Sequence, residues 1–239
     1  MCPIIDLSVD WFNGIPCRQY TARTRPCQVF RVIPKQTLRG KTMDKNNCQY
    51  YTYAEHRFRF AAWAAARAVK KLSAKKSTKN LTTILLDILR DKKIGFREIS
   101  GKDNWLLEVD AFDIQHACWR NRICKLANKK QITHTDLNGK GMSHGQAAKL
   151  INVFIKTLMP SDMYNIPPEL RECWSKVHPP VDRDMLKEMD NCGFGNGNVH
   201  WVEEYEPWTQ LTSCEYEKLI NDIRLYEPCL WKTERFWKL

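Results

Sequence analysis

The sequence predicts a mostly α-helical protein, with a helical domain over residues 51–239 preceded by an irregular, basic N-terminal arm over residues 1–50. Three observations predict it. Apolar residues recur at three- and four-residue steps in several stretches after Tyr53, which marks amphipathic helices. The first fifty residues hold only short β-favouring pieces, Ile4 to Phe12 and Gln28 to Ile33, broken by Gly14, Pro16, Pro26 and Pro34. The charge is also polarised. The 239 residues carry a formal +11, with sixteen Lys or Arg against two acids from Arg18 to Lys79 and eleven acids against seven bases from Arg183 to Leu239.

The elements follow in order. The arm interleaves Arg18, Arg23, Arg25, Arg31, Lys35, Arg39, Lys41 and Lys45 with Tyr20 and Phe30, a pattern suited to following a nucleic-acid backbone. A first helix starts near Tyr53, with Phe58, Ala62, Ala65, Val69 and Leu72 as its buried stripe and alanines that allow close helix approach. Trp63 on it is expected in the core, with base stacking as the weaker alternative, and His56, Arg57 and Arg59 lie near its start, where a phosphate would meet them. A Lys/Ser-rich spacer, Ser73 to Asn80, leads to a second helix over Leu81 to Asp91 that faces Ile84, Leu85, Ile88 and Leu89 inward. A third helix runs from about Ala111 to Asn128, with Ile114, Ala117, Cys118, Ile123 and Leu126 as its candidate buried set. The apolar connection Lys93 to Asp110 is expected to pair as a short hairpin. Further on come a helix near Asp182 to Met189, a loop with Gly193, Gly195 and Gly197, a long helix around Ser213 to Tyr226, and a terminal helix carrying Leu230, Trp231, Phe236 and Trp237.

Composition bounds the function. The length suffices for one sizeable core. No apolar run is long enough to span a membrane, and Met1 to Asp6 lacks the features of a secretory signal, so an intracellular, cytoplasmic protein is expected. Ten cysteines are scattered without a Cys-x-x-Cys pair, which predicts free thiols and no metal site. A pI near 9.2 without an accompanying apolar stripe points to nucleic acid rather than to an anionic membrane.

Chemistry concentrates between Asp136 and Leu186. Gly139-Lys140-Gly141 has the form of a tight turn whose amides, with Ser143, His144 and Gly145, hold a phosphate against a helix N-terminus. The following helix has an apolar stripe of Ala147, Ile151, Phe154 and Leu158, which leaves Lys149, Asn152 and Lys156 together on the opposite face. Two helices around such a hairpin make a DNA-backbone clamp. Downstream, Asp182 after Pro179-Pro180-Val181 is a good helix N-cap.

Gly145-Gln-Ala-Ala-Lys149-Leu-Ile-Asn-Val-Phe-Ile-Lys156, followed by Pro179-Pro180-Val181-Asp182, resembles the helix-hairpin-helix DNA glycosylases. The resemblance is to the 8-oxoguanine glycosylase-like fold, closest in spacing to the archaeal oxoguanine glycosylase branch, and spans roughly residues 132–190. It implies a Schiff-base lysine at Lys149 and a catalytic Asp at Asp182. Two departures stand out: Asn138 occupies a position where the family commonly has Pro, and Lys149 lies farther beyond Gly141 than usual, so Lys140 is a rival nucleophile. The resemblance implies a monomeric enzyme without cofactor that flips and excises a base from double-stranded DNA. Lys149 would attack C1′ once desolvation or nearby cations lower its pKa, and Asp182 would stabilise the sugar cation. His56, Trp63, His178 and Trp201 are base-pocket candidates. Proteins of this fold also act in antiviral defence against phages, so both an oxidised purine and a glucosylated hydroxymethylcytosine remain as substrates. Two other classes stay open: a non-catalytic DNA-binding module, and a metal-dependent nuclease using Asp182 and Asp184.

Overall fold

The computed structural model describes residues 51–69, 71–74, 80–109, 111–135 and 140–237. The basic arm, with Arg23, Arg25, Arg31 and Lys35, and the turn residue Gly139 lie outside the described residues. The remainder is mostly helical: α1 (Tyr53–Ala68), α2 (Leu81–Leu89), α3 (Phe96–Ile99), α4 (Phe112–Lys129), α5 (His144–Lys156), α6 (Pro168–Ser175), α7 (Arg183–Asn191), α8 (Trp201–Tyr205) and α9 (Ser213–Tyr226). Short 3-10 turns cover Trp105–Glu108, Trp208–Gln210 and Leu230–Phe236. Two strands of two residues each, β1 (Leu72–Ser73) and β2 (Thr133–His134), pair antiparallel, with Leu72 opposite His134.

Local chemistry sets most helix starts. Thr52, Asn80, Ser143, Asp182 and Thr212 each accept a backbone N–H in the first turn of α1, α2, α5, α7 and α9. At α5 and α9 the reciprocal bond from Gln146 or Glu215 completes a capping box.

The helices pack around two apolar clusters. One gathers Phe58 and the alanines of α1, Ile84, Leu85, Ile88 and Leu89 of α2, and Trp105, Trp119 and Trp174. The other gathers Met185, Leu186 and Met189 of α7 with Trp201, Leu219, Ile220, Leu230 and Phe236. Helix α5 belongs to both. Its Leu150, Ile151, Phe154 and Ile155 enter the first cluster, where Phe154 stacks on Phe96 at 4.5 Å, and Ala148 enters the second. It is therefore buried on nearly every side.

Several sequence expectations are corrected. The connection 93–110 forms no hairpin: Phe96 and Trp105 each sit on a single helical turn that drops the ring into the first cluster. Helix α1 ends at Ala68, and Leu72 belongs to β1 rather than to the helical stripe. On α4, Ile114 is 68% exposed and Cys118 is exposed. His116, Trp119 and Arg120 take the inward positions instead, where Asn152 on α5 accepts from His116 Nε2, Ile94 O accepts from the Trp119 indole and Glu217 on α9 pairs with Arg120. The last apolar group forms a 3-10 segment, and α6 occupies what reads in sequence as a Pro-punctuated connection. Trp63 is 49% exposed and not core.

Candidate active site

The first turn of α5 is a docking platform. A Cβ on Gly145 would lie 2.0 Å from the Trp208 carbonyl oxygen, so only glycine lets the 208–211 segment lie across the helix there. Gly145 N donates to Leu211 O (3.3 Å), and Ser143 Oγ donates to Thr209 O (2.7 Å) while accepting from Gln146 N. This seating puts the Trp208 ring 4.7 Å from Lys149 Nζ, one turn further along. Gly145→Ala is expected to destabilise the fold by about 3 kcal/mol, since a backbone carbonyl, not a pliable side chain, must move. A denaturant melt checks this, and an unchanged midpoint would mean that the 208–211 segment moves freely.

Asp182 faces Lys149 from the start of α7. Its Oδ1 accepts from Met185 N (3.0 Å) and from the indole Nε1 of Trp237 (3.1 Å). Its Oδ2 is left facing Lys149 Nζ at 3.0 Å. The pair is neither sequestered nor freely solvated, at 11% side-chain exposure for the lysine and 25% for the aspartate. A second lysine lies two turns along α5: Lys156 Nζ sits 4.4 Å from the Trp237 ring centre and ion-pairs with Glu234, whose carboxyl pKa burial pushes up. Lys149, Asp182, Trp237, Lys156 and Glu234 thus form one continuous chain of contacts.

Beneath the pair runs a buried polar network. Asn152 Nδ2 donates to Pro179 O (2.8 Å) and to Tyr216 Oη (3.0 Å), and its Oδ1 accepts from His116 Nε2 (2.8 Å). Tyr216 then donates to His178 Nδ1 (3.1 Å), and His178 Nε2 donates to Asp113 (2.8 Å). The two amide atoms of Asn152 thereby orient the whole chain of hydrogen bonds. By gripping the Pro179 carbonyl, Asn152 ties the segment that carries Asp182 to the helix that carries Lys149. The Arg120 guanidinium covers the Tyr216 ring at 4.5 Å and reaches Glu217 at 2.8 Å.

Burial pushes the pKa of both histidines down. For His116, His178 and Arg120 add to the effect; for His178, the Asp113 carboxylate partly opposes it. The His178 hydrogen bond in turn holds Asp113 down at about 2. In the unfolded chain the histidines take up protons near their ordinary 6.5, whereas the folded chain resists. Stability is therefore complete above that pH and is lost as the pH falls below it, with a further loss between 3.8 and about 2, where Asp113 takes up its proton in the unfolded chain before the folded one. The melting temperature is expected to drop between pH 7 and pH 5, and His116→Gln should flatten that drop. A flat profile in the parent protein would contradict the buried neutral state.

The structure sorts the predicted site residues. It brings Lys149 and Asp182 together, although 33 positions separate them. Asn152 and Lys156 share their face as expected, but that face turns inward to the network and to Trp237 rather than forming a solvated clamp. Ser143 and Gly145 spend their polar groups on the 208–211 segment, which corrects their expected phosphate role. Trp201 is wholly buried with its Nε1 bonded to Phe194 O (2.6 Å), and His178 is 5% exposed within the network. Neither lines an open base pocket at the lysine. Lys140 is exposed on the connection, Gly141 bridges Thr133, and His144 is half-buried with its pKa pushed down by burial. His56 and Trp63 lie exposed on α1. Trp208 stands out in the sequence only as one of several tryptophans able to stack on a base, and Trp237, Tyr216 and Glu234 do not stand out as site residues, since only tertiary packing connects them to Lys149.

The recess directly beside Lys149, lined by Asn152, Val181, Trp208 and Tyr216, measures about 10 Å³, room for no more than a single water. A reacting group must therefore approach from the side on which Asp182 stays exposed. There the site offers an amine, a carboxylate in hydrogen-bond contact with it, and two indole rings. Among the described residues no His, Cys, Asp or Glu side chains gather into a metal-binding group, and no helix is long and apolar enough to cross a membrane. Comparison with known proteins yields no matching family model, no matching curated protein and no matching solved structure.

Proposed function

We propose that this chain is a DNA glycosylase of the helix-hairpin-helix type, with Lys149 as nucleophile and Asp182 as the carboxylate that serves it. The observation that carries the reading is the 3.0 Å contact between Lys149 Nζ and Asp182 Oδ2. The two residues that the family resemblance marks as catalytic meet across 33 positions, beside two indoles, on a basic chain. A surface ion pair needs no such surroundings.

In this reading Asp182 Oδ2 takes a proton from the Lys149 ammonium, and the freed amine attacks C1′ of the flipped nucleotide. The C1′–N bond breaks, its electron pair leaves with the base, and the proton that Asp182 took passes through solvent to the departing base, which returns Asp182 to its carboxylate form. The Asp182 carboxylate, oriented by Met185 N–H and Trp237 Nε1–H, lies beside the positive charge that develops on the sugar. Opening of the sugar ring gives an imine on Lys149. Loss of the C2′ proton then breaks the C3′–O bond by β-elimination, and water releases the lysine. Lys140, with the N-terminal basic residues, supplies phosphate contacts.

The decisive experiment is mass spectrometry of bases released from duplexes carrying 8-oxoguanine and from DNA carrying glucosylated hydroxymethylcytosine. Release of either base supports the reading and assigns the substrate class. Binding to both without release would leave a DNA-binding module, and strand scission abolished by EDTA would indicate a nuclease.

A further inference from the structure

We propose that the outer face of α1 is a docking surface for an unpaired nucleic-acid strand, separate from the Lys149–Asp182 pair. Helix α1 buries Phe58 and its alanines against the core, so its large rings should be inside as well. They are not. Tyr51, Tyr53, Phe60 and Trp63 are 58%, 73%, 55% and 49% exposed, and they make up four of the eight exposed large apolar side chains among the described residues.

Tyr53, His56, Phe60, Trp63 and Arg67 follow one another at three- and four-residue steps, which places them on a single stripe of the helix. From Tyr53 to Trp63 the stripe extends roughly 15 Å along the helix axis at the usual rise per residue, a length that suits two or three bases. Phe60 and Trp63 present nearly parallel rings, 6.4 Å apart and inclined by 28°. An arginine flanks each of the other exposed rings and Trp63 too: Arg57 at 5.6 Å from Tyr53, Arg59 at 5.0 Å from Tyr51 and Arg67 at 5.1 Å from Trp63. Beside the stripe, Tyr53, His56, Arg57 and Phe60 form one wall of a recess of about 690 Å³, closed on the other side by the 157–167 loop with Leu170 and Asp103.

The chemistry selects the occupant. Arg57 pairs with Asp103 and Arg59 with Glu55, so Arg67 beside Trp63 is the arginine of the stripe whose charge is offered to a phosphate, while the rings offer stacking that tolerates any base sequence. A duplex hides its base faces in the stack, so the rings suit a strand whose bases are free. The preceding segment of this chain is a poor occupant on charge grounds, because residues 1–50 hold eight Lys or Arg against three acids and would repel the arginines of the stripe.

The test titrates the full-length protein against a fluorescein-labelled twelve-nucleotide oligothymidine and against a blunt duplex of the same length. In the double variant Phe60→Ala/Trp63→Ala, single-strand affinity is expected to fall at least about tenfold, a stacked base contributing about five- to 150-fold. Duplex affinity should change little, Trp63→Phe should restore part of the loss, and Lys149→Gln should bind the oligothymidine as the parent does. Because both rings are half exposed, an unchanged melt is expected. Equal oligothymidine affinity in parent and double variant would overturn the proposal. So would concentration-dependent dimers that the double variant loses, which would give the face to a second copy of the chain. Neither result depends on base release, so the surface and the glycosylase reading can fail separately.

Discussion

Replacing Asp182 by asparagine is expected to slow base release at least about a hundredfold while the protein still folds and binds DNA. The two duties of this side chain separate cleanly. Asparagine caps a helix about as well as aspartate, and its remaining oxygen can still accept from Met185 N–H and Trp237 Nε1–H. The amide nitrogen would then face the Lys149 ammonium, donor against donor. The ion pair is lost, with a stability decrease of about 1–2 kcal/mol, since both partners keep some contact with water. Chemistry suffers far more, because a neutral amide neither takes the lysine proton nor opposes charge on the sugar. Single-turnover base release alongside a thermal melt checks both halves of the expectation. Full release by a well-folded Asp182→Asn protein would remove Asp182 from the reaction.

Replacing Lys149 by glutamine should abolish covalent trapping on substrate DNA by borohydride, which reduces the imine to a stable amine. Glutamine reaches nearly as far, can donate to Asp182 Oδ2 and can lie over the Trp208 ring, so folding and DNA binding should persist. What it lacks is a nucleophilic amine. Trapping that survives in Lys149→Gln but vanishes in Lys140→Gln would move the nucleophile to the connection between α4 and α5. The same logic applies to Lys156→Gln, the other lysine on this face. Base release by the parent protein without any trapping would mean that water is the nucleophile and that Asp182 activates it.

Much of the fold is legible in the sequence where local chemistry decides. Helix α9 spans Ser213–Tyr226 because Thr212 and Glu215 cap it reciprocally, and the expected start of α7 at Asp182 rests on a capping carboxylate that the structure contains. Legibility fails where polar side chains are buried. On α4 the apolar periodicity points Ile114 and Cys118 inward, yet His116 and Arg120 take those positions, since Asn152 on α5 and Glu217 on α9 offer them bonding partners. No single-helix pattern carries that information. The connection 93–110 misleads for another reason: its apolar density suits a strand, but each ring needs only one helical turn to reach the core. At the candidate site, Lys149 and Asp182 stand out through their motif. Trp208 and Trp237 do not, because each lies more than fifty positions downstream of the residue it touches, Lys149 and Asp182 respectively, in contacts set by packing alone.

Helix α5 takes part in both apolar clusters, and this bears on how the molecule comes apart. Local opening proceeds most easily where an element has few buried contacts and solvent-facing amides. Helix α5 has neither weakness, so its amides should exchange with solvent only when the whole body unfolds, long after the outer turn of α1 has frayed. The Lys149 amine thus rides on the last element to loosen. Heating will not first produce a folded body with a disordered lysine, because the alignment of Lys149 with Asp182 persists for as long as there is a native state to carry it.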